Sequence, residues 1–268
     1  MNREENGRKP FMQPLWLMGM AVIVVDAIGD FVFIGLAPQS LLAPLGSLCL
    51  GWNVILAPLF HREEKVTKTT VIATAIIYVG TIISILYAAT STPNYNLEKI
   101  KELARNPYFI NYLVFTLAVQ GTLILHGKRK GYGMLHYTCG AGSLGGQTII
   151  FAKTSSELVK NAILKKEFDD LMNPISYMAM IMTVVTAVTQ LHVLNTGLAK
   201  FEALVVVPVY QTFINAFAIT GGLVFFQEYR AMSKKDGTMY SIGLMITLVG
   251  VKMLVQQRRK SILPYHVE

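Results

Sequence analysis

Apolar stretches of bilayer length recur from one end of the chain to the other, and the polar connectors between them are too short to fold alone. A hydrocarbon core takes roughly 20 helical residues to cross. A window of that size picks out about eight runs, at residues 14–37, 40–60, 69–89, 108–125, 132–152, 175–194, 203–226 and 239–255. With 53% hydrophobic and 15% charged residues, an ordinary soluble domain is excluded. In lipid every backbone polar group must be satisfied within its own segment, so runs of this kind are helices. The expected fold is all-α and integral to the membrane, with about eight transmembrane helices, in a single domain over residues 1–268 with no appended enzyme.

The segment ahead of the first run is polar and carries Arg3, Arg8 and Lys9, and the run itself is too long for a signal-peptide core, so it is expected to stay as the first span. Cys49 and Cys139 fall inside runs, where each acts as a small apolar residue and no disulfide framework is implied. A net charge of +8 would suggest nucleic acid in a soluble protein. Here the bases lie beside spans and meet lipid headgroups, so the expected partner is the bilayer and not a nucleic acid. By the positive-inside rule the cluster Lys128-Arg129-Lys130 and the tail Arg258-Arg259-Lys260 favour both termini in the cytoplasm, which is the expected topology. Two connectors show helical spacing of apolar residues, Leu97, Ile100 and Leu103 in one and Leu158, Ala162 and Ile163 in the other. Both are expected as short helices lying in the interface.

Two acids interrupt the first run. Asp26 and Asp30 are one turn apart and share a helical face. An acid at the membrane centre costs about 2.5–3.5 kcal/mol on insertion scales. Protonation or a basic neighbour would offset that; so would a cation in a polar pathway. Mg2+ dehydrates reluctantly and is caught by one or two carboxylates through a partly hydrated shell, which suits this pair. Two carboxylates so close also repel unless a cation or proton sits between them, which leaves proton coupling open. The later runs supply neutral donors instead: Gln147, Gln190, His192, Asn195, Gln211 and Asn215. Each serves an interhelical hydrogen bond as readily as a ligand, as do Asn53 and Gln120. Gly142 and Gly146, four apart, suit a close helix approach.

Catalysis finds no support. His136, Cys139 and Ser143 share a run but form neither a nucleophile elbow nor an oriented base, and no phosphate-binding loop is present. No cofactor is expected.

An order of residues repeats. Gly35-Leu36-Ala37, Pro44 and Glu63 in the first half are echoed by Gly197-Leu198-Ala199, Pro208 and Glu228 in the second, with nearly the same distance from proline to acid. The copies, within a first repeat at about residues 14–90 and a second at about 107–256, are an odd number of spans apart. That offset inverts the second copy, an architecture in which transporters place sites near the midplane. Pro44 and Pro208 each free a backbone carbonyl, tolerated where protein or a wet cavity re-satisfies it.

These residues carry a family resemblance. The run Gly35-Leu36-Ala37-Pro38-Gln39-Ser40-Leu41-Leu42-Ala43-Pro44-Leu45-Gly46-Ser47 resembles the hallmark segment of NIPA-type magnesium transporters, within the drug/metabolite transporter superfamily. Leu194 to Ala199, Val207-Pro208-Val209-Tyr210-Gln211 and Phe226-Gln227-Glu228-Tyr229 resemble its second hallmark, and Gly145-Gly146-Gln147-Thr148 with Phe151-Ala152-Lys153 its middle. Aligned on Pro38, the family's glutamate and asparagine places in the first span are Ala27 and Asp30, with an acid at Asp26 instead; the family usually has one further N-terminal span. The resemblance implies an inverted-repeat bundle and a multi-pass transporter of the plasma or endosomal membrane. Its cargo would be a divalent cation, Mg2+ first, meeting intramembrane carboxylates in a midplane cavity. Pro38, Pro44, Gly46 and Pro208 would be structural hallmarks. A carrier of organic solutes and a membrane scaffold without transport stand as alternatives, and a homo-oligomer is compatible with all three.

Overall fold

The computed structural model describes residues 14–46, 48, 67–89, 95–165, 168–201 and 203–262 of the 268. Among them every regular element is helical: α1 (Pro14–Leu36), α2 (Gln39–Leu45), α3 (Lys68–Leu86), α4 (Leu97–Ala104), α5 (Pro107–Lys130), α6 (Met134–Lys165), α7 (Pro174–Lys200), α8 (Ala203–Phe225) and α9 (Lys234–Ile262). Short 3-10 turns occupy Asp169–Met172 and Glu228–Ala231. Cys49, Asn53 and Glu63, in or near the second apolar run, lie outside the described residues.

Local chemistry accounts for where the helices start and stop. Asn106 and Asn173 cap α5 and α7, accepting from the Tyr108 and Ile175 N–H groups, and each is followed by a proline at the first helical position. That position has no donor to lose, and the fixed φ of proline suits it. Thr67 and Asn96 cap α3 and α4 in the same way. α5 ends on Lys128, Arg129 and Lys130, which complement the negative end of the helix dipole, and Gly131 leaves it at φ 89°.

Along α3 and α7 burial favours small residues and leaves most large apolar ones outside. α3 buries Thr70, Ala73, Thr74, Ile77, Gly80, Thr81 and Ser84 while exposing Val71, Ile72, Val79, Ile82 and Leu86. α7 buries Ser176, Ala179, Thr186 and Gly197 and exposes Met178, Ile181, Val184, Val188 and Leu191. Lipid tails are as apolar as leucine, so nothing drives large side chains inward; small residues are buried because they let backbones approach. α3, α5 and α7 are each long and apolar enough to cross a membrane. The described residues are all-helical, and three helices of this length and apolarity suit a protein integral to the membrane.

Small residues set the tightest contacts. α3 and α9 pack where a Cβ on Gly80 would stand 2.5 Å from the Thr247 nitrogen and one on Gly243 2.5 Å from Ser84 Oγ. α6 and α8 meet at Gly142 and Gly146, where added Cβ atoms would fall 2.4 Å and 2.5 Å from the Cβ atoms of Phe213 and Phe217. The close-approach reading of these two glycines therefore holds.

The same contacts give helix directions. Along α6, Phe31 and Gly35 of α1 meet Ser156 and Lys160 in rising order, so α1 runs parallel to α6. Gly197, Val193, Gln190 and Thr186 of α7 meet Tyr137, Gly140, Gly145 and Thr148 in falling order, so α7 runs antiparallel to it. α1 and α7 therefore point opposite ways.

The two connector helices fare differently. α4 forms, with Leu97, Ile100 and Leu103 buried on one face and the pairs Lys99–Glu102 and Lys101–Glu98 on the other. Its apolar face joins Tyr95, Phe109, Tyr112, Ile150, Leu158, Phe225 and Phe226 in the largest buried cluster among the described residues. The helix expected around Leu158, Ala162 and Ile163 is not a separate interfacial element. α6 runs unbroken from Met134 to Lys165, and Leu158 and Ala162 are buried in the protein. The charges that mark the end of an apolar run, Lys153, Glu157 and Lys160, are paired inside and do not end the helix.

Candidate functional site

Asp26 and Asp30 both belong to α1. Asp30 is exposed, and the side chain of Asp26 lies outside those described. α1 packs chiefly on α6, through Phe31 and Gly35 near its C-terminal end, where Ser156 Oγ donates to the Phe31 carbonyl at 2.6 Å and Lys160 Nζ to that of Gly35 at 2.7 Å. The large apolar side chains Val22, Val25, Ile28, Val32 and Phe33 on this helix are exposed.

The neutral donors sort into three groups. Buried Gln147 donates to Thr116 Oγ1 at 2.7 Å, tying α6 to α5, and Gln120 donates to Ser143 Oγ at 3.2 Å in the same seam. Gln190 donates to the Tyr210 hydroxyl at 2.9 Å and accepts from Thr148 at 3.3 Å, joining α6, α7 and α8. Gln211 donates to Asn215 Oδ1 at 3.0 Å along α8. His192 and Asn195 are exposed on α7. Asn215 and Pro44 share a cavity of about 280 Å³ between α2, α8 and α9, with hydroxyls from Thr212, Thr220, Ser241 and Thr247 and an otherwise aliphatic wall. Pro38 stands at the N-cap of α2, Gly46 at its C-cap, and Pro208 lies in α8.

The most densely bonded polar centre is one the residue spacing does not announce. Lys153 of α6 and Glu228, just past α8, form an ion pair at 2.7 Å with both side chains fully buried. The Glu228 carboxylate also accepts the backbone N–H groups of Gln39 and Ser40, each at 2.7 Å, so it closes the first turn of α2 where Pro38 offers no side-chain cap. Gln227, at φ 52°, turns the chain so that Glu228 points inward. The Lys153 ammonium sits 4.4 Å over the Phe226 ring. Around the pair, Tyr240 donates to the Ser40 carbonyl at 2.9 Å, Tyr95 to that of Phe226 at 3.0 Å, and Asn161 to that of Tyr95 at 2.8 Å. Burial, and then the charges of Glu228 and Glu157, hold the Tyr95 hydroxyl well above the usual phenol range, so it stays a donor.

A second pair lies one turn further along α6. Lys160 meets fully buried Glu157 and also binds the Gly35 carbonyl. The cluster thus holds two acids and two bases, charge-balanced, and joins α1, α2, α6 and the end of α8. Glu228 and Lys153 are both visible in the sequence, one as the acid closing the second repeat and the other beside Phe151 and Ala152. Their meeting is not visible, because 75 residues separate them. Among the described residues no three metal-ligating side chains converge.

The magnesium transporter NIPA family model matches residues 1–260. The chain is 26% identical over 272 residues to the probable magnesium transporter NIPA8 of Arabidopsis thaliana, covering 94% of this chain and 61% of that protein. It is 25% identical to NIPA-like protein 2 of Homo sapiens, covering 96% and 67%, and 27% identical to the probable magnesium transporter NIPA6 of Arabidopsis thaliana, covering 91% and 74%. The chain therefore spans about three fifths to three quarters of the length of these relatives. No solved structure matches it significantly.

Proposed function

The chain belongs to the magnesium transporter NIPA family, and from that premise we propose that it carries divalent cations, Mg2+ first among them, across a plasma or endosomal membrane. The observation that carries the proposal is the match over nearly the whole chain to a family of named magnesium transporters, joined to a helical bundle that exposes its large apolar side chains. Asp26 and Asp30 are proposed to capture the hydrated ion, with Asn215 in the α2–α8–α9 cavity, and Gln211 bonded to it, as neutral ligands on its path. Gln147 and Gln190 are engaged in helix ties, which favours a positioning role for them.

About eight spans in two inverted halves are proposed as the architecture. The opposite directions of α1 and α7, which carry the two Gly-Leu-Ala segments, support it. In such a bundle the two halves rock against each other around a central site.

One observation favours a second reading. The cavity beside Pro44 is walled by Ala216, Ile219, Leu244, Leu248 and Val251, which would suit a weakly polar organic solute better than a bare ion. Mg2+ uptake into liposomes holding only the purified chain, with and without a pH gradient, separates the two. Saturable Mg2+ flux is expected; a chain that carries no divalent ion but takes up organic solutes would overturn the cation reading.

A further inference from the structure

The turn that joins α5 to α6 brings together two histidines for which the transport reading has no use. His126 Nδ1 lies 2.7 Å from His136 Nε2, with the rings edge to edge and nearly coplanar, 5.0 Å between centroids and 16° between planes. His126 is exposed and His136 half-buried. The helix ends that present them are fixed closely. Gly131, at φ 89°, donates to the Gly127 carbonyl at 2.9 Å, and the Tyr132 ring lies so near Gly127 that a Cβ there would stand 2.4 Å from it.

His136 Nδ1 has two neighbours in one residue, the Gly133 N–H at 3.0 Å and the Gly133 carbonyl at 3.3 Å. As described, the N–H donates into Nδ1, so the ring proton sits on Nε2 and is given to His126 Nδ1. A metal between the rings needs both facing lone pairs. The His136 proton then moves through water from Nε2 to Nδ1, where the Gly133 carbonyl receives it. No proton is gained or lost. A ligating imidazole whose other N–H is held by a backbone carbonyl is the usual second-shell arrangement.

We infer that His126 and His136 form a binding site for a transition-metal dication of the Zn2+ class, with water completing its shell. Zn–N bonds of 2.0–2.1 Å at a tetrahedral angle put the nitrogens about 3.3 Å apart, so from their present in-line 2.7 Å the nitrogens part by about 0.6 Å and the two rings turn by roughly 70° between them, so that both lone pairs meet the metal. From residue 126 to 136 the chain has no carboxylate, and Lys128, Arg129 and Lys130 lie exposed on the same turn. These bases repel any cation, weakly because water screens them. They select against an ion held by charge alone, such as Mg2+, and leave one held by bonds to nitrogen.

The site does not depend on the transport reading, and its test needs no flux. Tag-free protein in detergent micelles is titrated with Zn2+ against a fluorescent zinc chelator, as the parent and as His126→Gln, His136→Gln and His192→Gln. One Zn2+ per chain is expected, undisturbed by excess Mg2+. Each of the first two variants should weaken binding at least about tenfold, and His192→Gln should not. Cu2+ bound to the parent should show two coupled imidazoles by pulsed electron paramagnetic resonance, a readout that needs no variant. No saturable Zn2+ binding, binding unchanged in both variants, or a single coupled imidazole overturns the inference.

Discussion

Neutralising Glu228 tests the buried ion pair most directly. Glu228→Gln keeps the shape and one acceptor oxygen but leaves the Lys153 ammonium, at zero exposure, without its partner. It also turns an amide NH2 toward the ammonium or toward the Gln39 and Ser40 N–H groups, which are themselves donors. Breaking a buried pair from one side costs about 3–5 kcal/mol. Glu157 is close enough for Lys153 to feel its charge, and the ammonium keeps its place over the Phe226 ring, so the lower end, about 3 kcal/mol, is expected. At roughly 2–4 °C per kcal/mol for chains of this size, the melting midpoint in detergent should fall by about 6–12 °C. The double variant Lys153→Met with Glu228→Gln removes the stranded charge and should melt above Glu228→Gln alone. A single variant that melts within about 1 °C of the parent, or a double variant whose losses simply add, would refute the pairing argument.

Three further outcomes follow from the same packing and charge arguments. Gly146→Ala puts a Cβ 2.5 Å from that of Phe217 and should cost about 1–3 kcal/mol, seen as a lowered melting midpoint, whereas Gly121→Ala, with open space beside it, should cost nothing. Thiols placed at Lys128 and Arg259 should label from the same, cytosolic, side; labelling from opposite sides would break the topology. Asp26→Asn and Asp30→Asn should abolish Mg2+ flux in liposomes with melting unchanged, and wild-type flux in the double variant would remove the carboxylates from the mechanism.

The helices were largely legible because their determinants are local. Asn-Pro at 106–107 and 173–174 starts α5 and α7, and apolar runs mark their bodies. The end of α6 was not legible for the same reason: Lys153, Glu157 and Lys160 look like the polar edge of a span until their partners are known, and those partners include Glu228 and the Gly35 carbonyl, 75 and 125 residues away. The candidate site divides in the same way. That Gln147 and Gln190 would bond across helices could be expected from residue type, but Thr116 and Tyr210 as their partners could not. Glu228 reads as a loop acid after a span, and only the left-handed turn at Gln227 sends it inward.

The C-terminal end of the helix bearing Asp26 and Asp30 is held to the bundle and wired to the buried charges. Ser156 and Lys160 grip the carbonyls of Phe31 and Gly35; after Leu36 the chain passes through Ala37 and Pro38 directly into α2, whose first N–H groups Glu228 holds. Displacing α1 therefore pulls on the same α6 segment that carries Lys153, Glu157 and Lys160. Lys160→Met combined with Glu157→Gln releases the Gly35 carbonyl without stranding a buried charge. Faster hydrogen exchange is then expected in the last turn of α1, at the Ala37 N–H that bonds the Phe33 carbonyl, while the α3–α9 seam, closed by Gly80 and Gly243, keeps its protection. Equal exchange in parent and variant would mean that α1 is held by something other than this grip, and would cut the link from the aspartates to the buried pair.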